Sequence, residues 1–117
     1  MPTLDILRRE PDLRSFTQGA TIFQAGDPGD SMYAVVDGVV EIRLNGAVIE
    51  SVSPGGVFGE MGLVEGKPRS AAAVAGTDCT VAVISEKRFL RLVEMAPQFA
   101  LQMMRVVSDR LRRHGPQ

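Results

Sequence analysis

The chain has 117 residues, with 13 Lys and Arg against 14 Asp and Glu, 44% hydrophobic content, one histidine and one cysteine. That length fits a single domain spanning residues 1–117, and these charge and apolar fractions exclude a disordered chain. One cysteine with one histidine excludes an internal disulfide and a closed zinc or iron–sulfur site, and no run approaches the ~18 apolar residues of a membrane span.

Residues 2–9 open with a short, partly helical pattern in which Leu4, Ile6 and Leu7 are apolar. Residues 1–5 show no secretory signal pattern, so a reducing, cytoplasmic setting is expected. From 13 to 85 the signals are those of short strands separated by turns. Thr21-Ile22-Phe23 precedes Ala25-Gly26-Asp27-Pro28-Gly29-Asp30, the densest turn signal of the chain. Two apolar runs follow, at residues 32–36 and 39–44, ending in Asp37-Gly38 and Asn45-Gly46 respectively. Both dipeptides predict hairpins, since a type I′ turn needs positive φ at both central residues. Residues 47–52 return as a strand and stop at Ser53-Pro54-Gly55-Gly56. After a glycine-rich stretch, residues 71–75 and 80–84 are again apolar and partly β-branched. Strands at this spacing predict an antiparallel β-roll or jelly roll over about 13–85.

The period changes at Ser85, which can cap a helix carrying Phe89, Leu92 and Val93 on one face. Pro97 marks a second helix start, with Phe99, Met103, Val106, Val107, Arg110 and Leu111 at helical spacing. That helix should end before Gly115-Pro116, so C-terminal helices over about 86–113 close the roll. Charge is uneven along the chain. Residues 1–85 hold six basic against eleven acidic residues, whereas 86–117 hold seven against three. A basic end can contact nucleic acid, but cations in the last turns of a helix complement its dipole and sit in water, the reading preferred here. Cys79 is expected to be a small buried hydrophobe rather than a reactive thiol, and His114 a solvated tail residue. Met32, Met61, Met95, Met103 and Met104 are expected as core or helix-face fillers.

Chemistry concentrates in Phe58-Gly59-Glu60-Met61-Gly62-Leu63 followed by Pro68-Arg69-Ser70-Ala71. Gly55, Gly56, Gly59 and Gly62 leave the backbone unshielded, so successive N–H groups can converge on an anion. A helical turn over residues 60–63 would add unpaired donors at its start. Arg69 supplies a permanent charge with forked donors suited to phosphate, and Ser70 a hydroxyl. Glu60 suits a sugar hydroxyl beside that anion. Together these parts describe a phosphate–ribose clamp. The competing reading is a surface Glu60–Arg69 ion pair worth about 0–1 kcal/mol, with the glycines merely serving turns.

At these residues the chain resembles the cyclic-nucleotide-binding domain of catabolite-activator-type regulators, cyclic-nucleotide-gated channels and the regulatory subunit of protein kinase A. The family's phosphate-binding cassette reads Phe-Gly-Glu, an apolar residue, a small residue, Leu, a short variable stretch, then Pro-Arg-Ser/Thr-Ala. Every position is filled here, and the resemblance covers about residues 13–113. It implies that Arg69 pairs with the cyclic phosphate of cAMP or cGMP and Glu60 with the ribose 2′-hydroxyl. It also implies that the amides of Gly59, Met61 and Ala71 cradle phosphate oxygens, that Ser70 donates to them, and that Phe58, Gly62 and Leu63 complete the site. A polar residue late in the last helix reaches the base in the activator branch; Arg110 stands near that place and is the candidate lid.

The expected function is a cyclic-nucleotide sensor that relays binding through its C-terminal helix, without a cofactor, a metal or catalysis. A metal-dependent cupin enzyme on a similar roll would need several converging histidines, which the chain lacks. The alternatives are the sensor half of a transcription regulator without its helix-turn-helix domain, and a degenerate member acting as a protein-interaction module. No direct DNA contact is expected, because no recognition helix follows residue 113. The expected partners are the nucleotide and either a second copy, through the last helix, or an unknown effector protein.

Overall fold

Eight strands and three helices make up the fold in a computed structural model that describes residue 7 and residues 9–113. The strands are β1 (Leu13–Phe16), β2 (Thr21–Phe23), β3 (Ser31–Asp37), β4 (Val40–Leu44), β5 (Ala47–Val52), β6 (Val57–Phe58), β7 (Ala72–Ala75) and β8 (Cys79–Ser85). The helices are α1 (Glu60–Glu65), α2 (Glu86–Met95) and α3 (Pro97–Arg113). Most expectations for residues 2–9, together with His114 and Gly115-Pro116, fall outside the described residues. Leu7 is described, and it is fully buried.

The strands form two antiparallel four-stranded sheets, ordered β1-β8-β3-β6 and β2-β7-β4-β5. This is the β-roll closed by C-terminal helices that the hydrophobic runs predict. The β4–β5 hairpin turns on Asn45 and Gly46, whose φ values of 53° and 83° meet the type I′ requirement. The Asp37-Gly38 expectation is corrected. It joins β3 to β4, but these strands lie in different sheets, so the pair makes a corner and not a hairpin. Only Gly38 has positive φ there, at 79°, and one such residue cannot build a type I′ turn. The corner is tight because Gly38 presses against the Asp78 carbonyl and Cys79.

Two cores share one sheet. On β3, Met32 and Ala34 face a cluster with Ile84, Leu92, Phe99 and Met103 beneath the helices. Val35 faces the interior of the roll with Phe23, Val40, Phe58, Ala73 and Val81. β3 and β8 are therefore covered on both faces, which is why they read as near-continuous apolar runs. Ser85 accepts a hydrogen bond from Arg88 N–H at 3.1 Å and starts α2 as predicted. Cys79 is buried, and that burial, reinforced by the Asp78 carboxylate, pushes its thiol above the ordinary range. It fills core and holds its proton. Among the described residues, no helix is long and apolar enough to cross a membrane.

The two glycine corners should differ in tolerance. Gly46 faces open space, so Gly46→Ala meets only the left-handed backbone cost of about 1–2 kcal/mol. Gly38→Ala adds a collision with the Asp78 carbonyl and should cost about 3 kcal/mol or more. Urea denaturation of the two variants checks the order.

Candidate functional site

The short strand β6 pairs with β3, placing Phe58 opposite Tyr33, and it delivers the chain to Gly59. Gly59 sits at φ 77° at the start of α1, and a side chain there would crowd the Arg69 guanidinium 2.9 Å away. Glycine is required on both counts. α1 ends at Gly66, whose N–H donates to the Gly62 carbonyl at 2.8 Å, and Pro68 then brings the chain back to Arg69. The predicted turn over residues 60–63 is thus extended by two residues.

Arg69 is only 6% exposed. Its guanidinium carbon lies 4.2 Å from the Phe23 ring centroid and 5.7 Å from that of Tyr33. Nη1 donates to the Gly59 carbonyl at 2.6 Å and Nη2 to the Ser31 carbonyl at 2.5 Å. Nε is buried with no hydrogen-bond partner. Among the described residues, no carboxylate lies within ion-pair distance of it. A buried cation so placed has its charge spread over carbonyl dipoles and aromatic faces but not neutralised. It stands ready for an anion.

Glu60 is 2% exposed, and its Oε1 accepts from Arg110 Nη1 at 2.5 Å. The surface Glu60–Arg69 pair is not formed. Arg110 reaches Glu50 on β5 as well, through Nε at 3.1 Å and Nη2 at 3.0 Å, and donates to the Val57 carbonyl. Arg113 adds a looser contact to Glu50 at 3.5 Å. Burial alone would lower the Arg110 pKa, but Glu60 and Glu50 outweigh it and raise the guanidinium above its ordinary value. The expectation of a solvated basic tail holds for exposed Arg112 and Arg113 and fails for Arg110, whose side chain is 14% exposed.

A cavity of about 290 Å³ opens between these groups. Phe58, Gly59, Glu60, Met61, Gly62, Arg69, Ser70, Ala71 and Arg110 all line it. Leu63 does not. It packs against the core beneath the helices. Gly55 and Gly56 are also absent from the wall. Gly55 N–H is taken by the Val35 carbonyl at 3.0 Å and Gly56 N–H by Ser53 at 2.9 Å, so neither amide is free for an anion. They close the turn after β5. Phe23, Ile42, Ile49 and Leu111 add apolar surface to the lining. Sequence reasoning did not place Ile42, Ile49 or Glu50 there, because it takes the β7–β4 and β4–β5 pairings together to bring them beside the cassette. A signal for Glu50 did exist: it shares a strand face with Val52, which is buried, so a carboxylate pointing inward needs a cation.

Residues 13–95 match the family model described as "Cyclic nucleotide-binding domain". A cAMP-dependent protein kinase regulatory subunit from Candida albicans is 38% identical over 80 residues, covering 68% of this chain and 17% of the relative. A cyclic nucleotide-gated potassium channel from Mesorhizobium japonicum is 37% identical over 87 residues, covering 74% and 24%. The chain therefore spans about a fifth of the length of these curated relatives. Among solved structures, the Thermus thermophilus catabolite activator protein superposes with a TM-score of 0.83 at 30% identity, over 97% of this chain and 55% of that one. A cyclic nucleotide-binding domain from Methylobacillus flagellatus gives 0.76 at 25% identity, over 86% and 62%. With the fold, the cassette and the family match in agreement, the chain belongs to the cyclic nucleotide-binding domain family.

Proposed function

We propose that this domain binds a cyclic purine nucleotide, cAMP or cGMP, and passes the event on through α3 without catalysing a reaction. The observation that carries this reading is the buried, unneutralised Arg69 in the cavity wall, with an unpartnered Nε. A cyclic phosphate would supply the missing charge, with Ser70 and the amides of Gly59, Met61 and Ala71 around its oxygens. Glu60 would take the ribose hydroxyl, and the base would lie along Ile42, Ile49 and Leu111. Related proteins named for cAMP-dependent kinase regulation support the ligand class.

The relay follows from Glu60 already holding Arg110. A ribose hydroxyl that claims this carboxylate must share it with Arg110 or displace it, and either shifts the last turns of α3. Leu101, Met104 and Leu111 are about half exposed or more on that helix, so its movement is presented outward to a second copy or an effector. The ligand moves this equilibrium only by its differential affinity for the two helix positions, typically about 1–3 kcal/mol.

Isothermal titration with cAMP, cGMP and 5′-AMP tests the ligand. The two cyclic nucleotides should bind well above 5′-AMP. Arg69→Ala should cost about 1.5–3 kcal/mol, or roughly 10- to 150-fold in Kd. Arg69→Lys should recover part of that loss, because an ammonium keeps the charge and loses the fork. Glu60→Gln should weaken ribose recognition and spare the phosphate. Wild-type affinity in Arg69→Ala would refute the clamp.

Hydrogen exchange tests the relay separately. Protection across residues 97–113 should change at saturating cAMP, most in the turns around Arg110. Unchanged protection there would make α3 a fixed scaffold.

A further inference from the structure

The loop between β2 and β3, residues 24–30, has no part in the ligand reading, yet its backbone is joined to Arg69 in both directions. Gly26 N–H donates to the Arg69 carbonyl, and Arg69 N–H donates to the Asp27 carbonyl, each at 2.8 Å. Ser31, which follows the loop, supplies the carbonyl that accepts Arg69 Nη2 at 2.5 Å. One short segment thus holds this residue at its amide, its carbonyl and its guanidinium.

The same loop is seated on α1. A Cβ at Gly29 would overlap the Lys67 carbonyl oxygen and come within 2.9 Å of Gly62 Cα. Gly62 is matched to it: a Cβ there would lie 2.9 Å from Gly29 Cα and 3.0 Å from Arg69 Nη1. Loop, helix and guanidinium meet where no side chain intervenes. The loop holds its own shape through a reciprocal pair. Gln24 N–H donates to Asp27 Oδ2 at 2.9 Å, and Asp27 N–H returns to the Gln24 carbonyl at 3.1 Å.

An arginine with several rotatable bonds binds an anion well only if its geometry is set beforehand by rigid neighbours. We propose that residues 24–30 form a clasp that positions Arg69, with Asp27 and Gly29 as positioning residues that set anion affinity without touching the anion. The affinity side of this proposal rests on the cyclic-nucleotide reading. The positioning side does not.

Asp27 is exposed, and Asp27→Ala removes only the carboxylate that holds Gln24 N–H, so the variant should fold. Its cAMP affinity should fall about fivefold, the usual worth of one such hydrogen bond. Asp27→Asn, which keeps a side-chain acceptor, should restore it. Gly29→Ala should cost about tenfold or more, since backbone on both sides must give way. In an Arg69→Ala background, Asp27→Ala and Gly29→Ala should cause no further loss, because an effect carried by Arg69 disappears with it. Losses of equal size in both backgrounds, or none in the wild-type background, would overturn the clasp.

A second readout needs no nucleotide. In the ligand-free protein, the ¹⁵N resonance of Arg69 Nε–H should shift or broaden in Asp27→Ala and recover in Asp27→Asn. An unmoved resonance would overturn the clasp even if cAMP binds. Failure of the wild-type protein to bind cAMP or cGMP would sink the nucleotide reading, and the resonance would still decide the clasp.

Discussion

Arg69 imposes the constraint around which the binding half of this molecule is arranged. Its guanidinium cannot lose its proton at any accessible pH, and at 6% exposure it has given up most of its water. Leaving such a charge buried costs several kcal/mol unless dipoles or a counter-ion replace the lost hydration. Two carbonyl acceptors and two aromatic faces replace part of it. The unpartnered Nε marks the part that is not replaced.

The second buried cation is treated in the opposite way. Arg110 is fully engaged, with Glu60, Glu50 and the Val57 carbonyl around it. Buried ion pairs add little net stability compared with apolar packing, but breaking one by removing a partner is costly. The triad is therefore weak as a source of stability, but it ties β5, the residue before Phe58 and the first residue of α1 to the end of α3. Burial that would lower the Arg110 pKa is overcome by the two carboxylates together.

The sheet that carries β3 and β8 is packed on both faces. β3 and β8 present alternate residues to the interior of the roll and to the helices, and β3 also carries Tyr33 and Ser31 against Arg69. Leu63 belongs to this connection as well. It lies one residue beyond Gly62, which lines the cavity, yet it packs into the helical core. The six-residue α1 thereby contributes both to the core and to the cavity lining.

Much of this was legible locally. Apolar runs and turn residues placed β2, β3, β4, β5, β7 and β8 to within a residue or two, Ser85 and Pro97 located the helix starts, and the cassette spacing singled out Gly59, Glu60 and Arg69. These signals work because they depend on neighbours in the chain: φ limits, capping and side-chain alternation. The two-residue β6, with no period to detect, was hidden within the cassette. Whether Asp37-Gly38 was a hairpin or a corner turned on which strands paired, and Gly38 has the same freedom in either. The partners of the two buried arginines were likewise undecided, since 38 residues separate Arg69 from Ser31 and 50 separate Arg110 from Glu60. Local chemistry determined which groups this chain could offer an anion and a sugar. Only the tertiary structure decided that Arg69 would be met by carbonyls and aromatic faces while Arg110 took Glu60, because burial and pairing across such distances are properties of the packed whole.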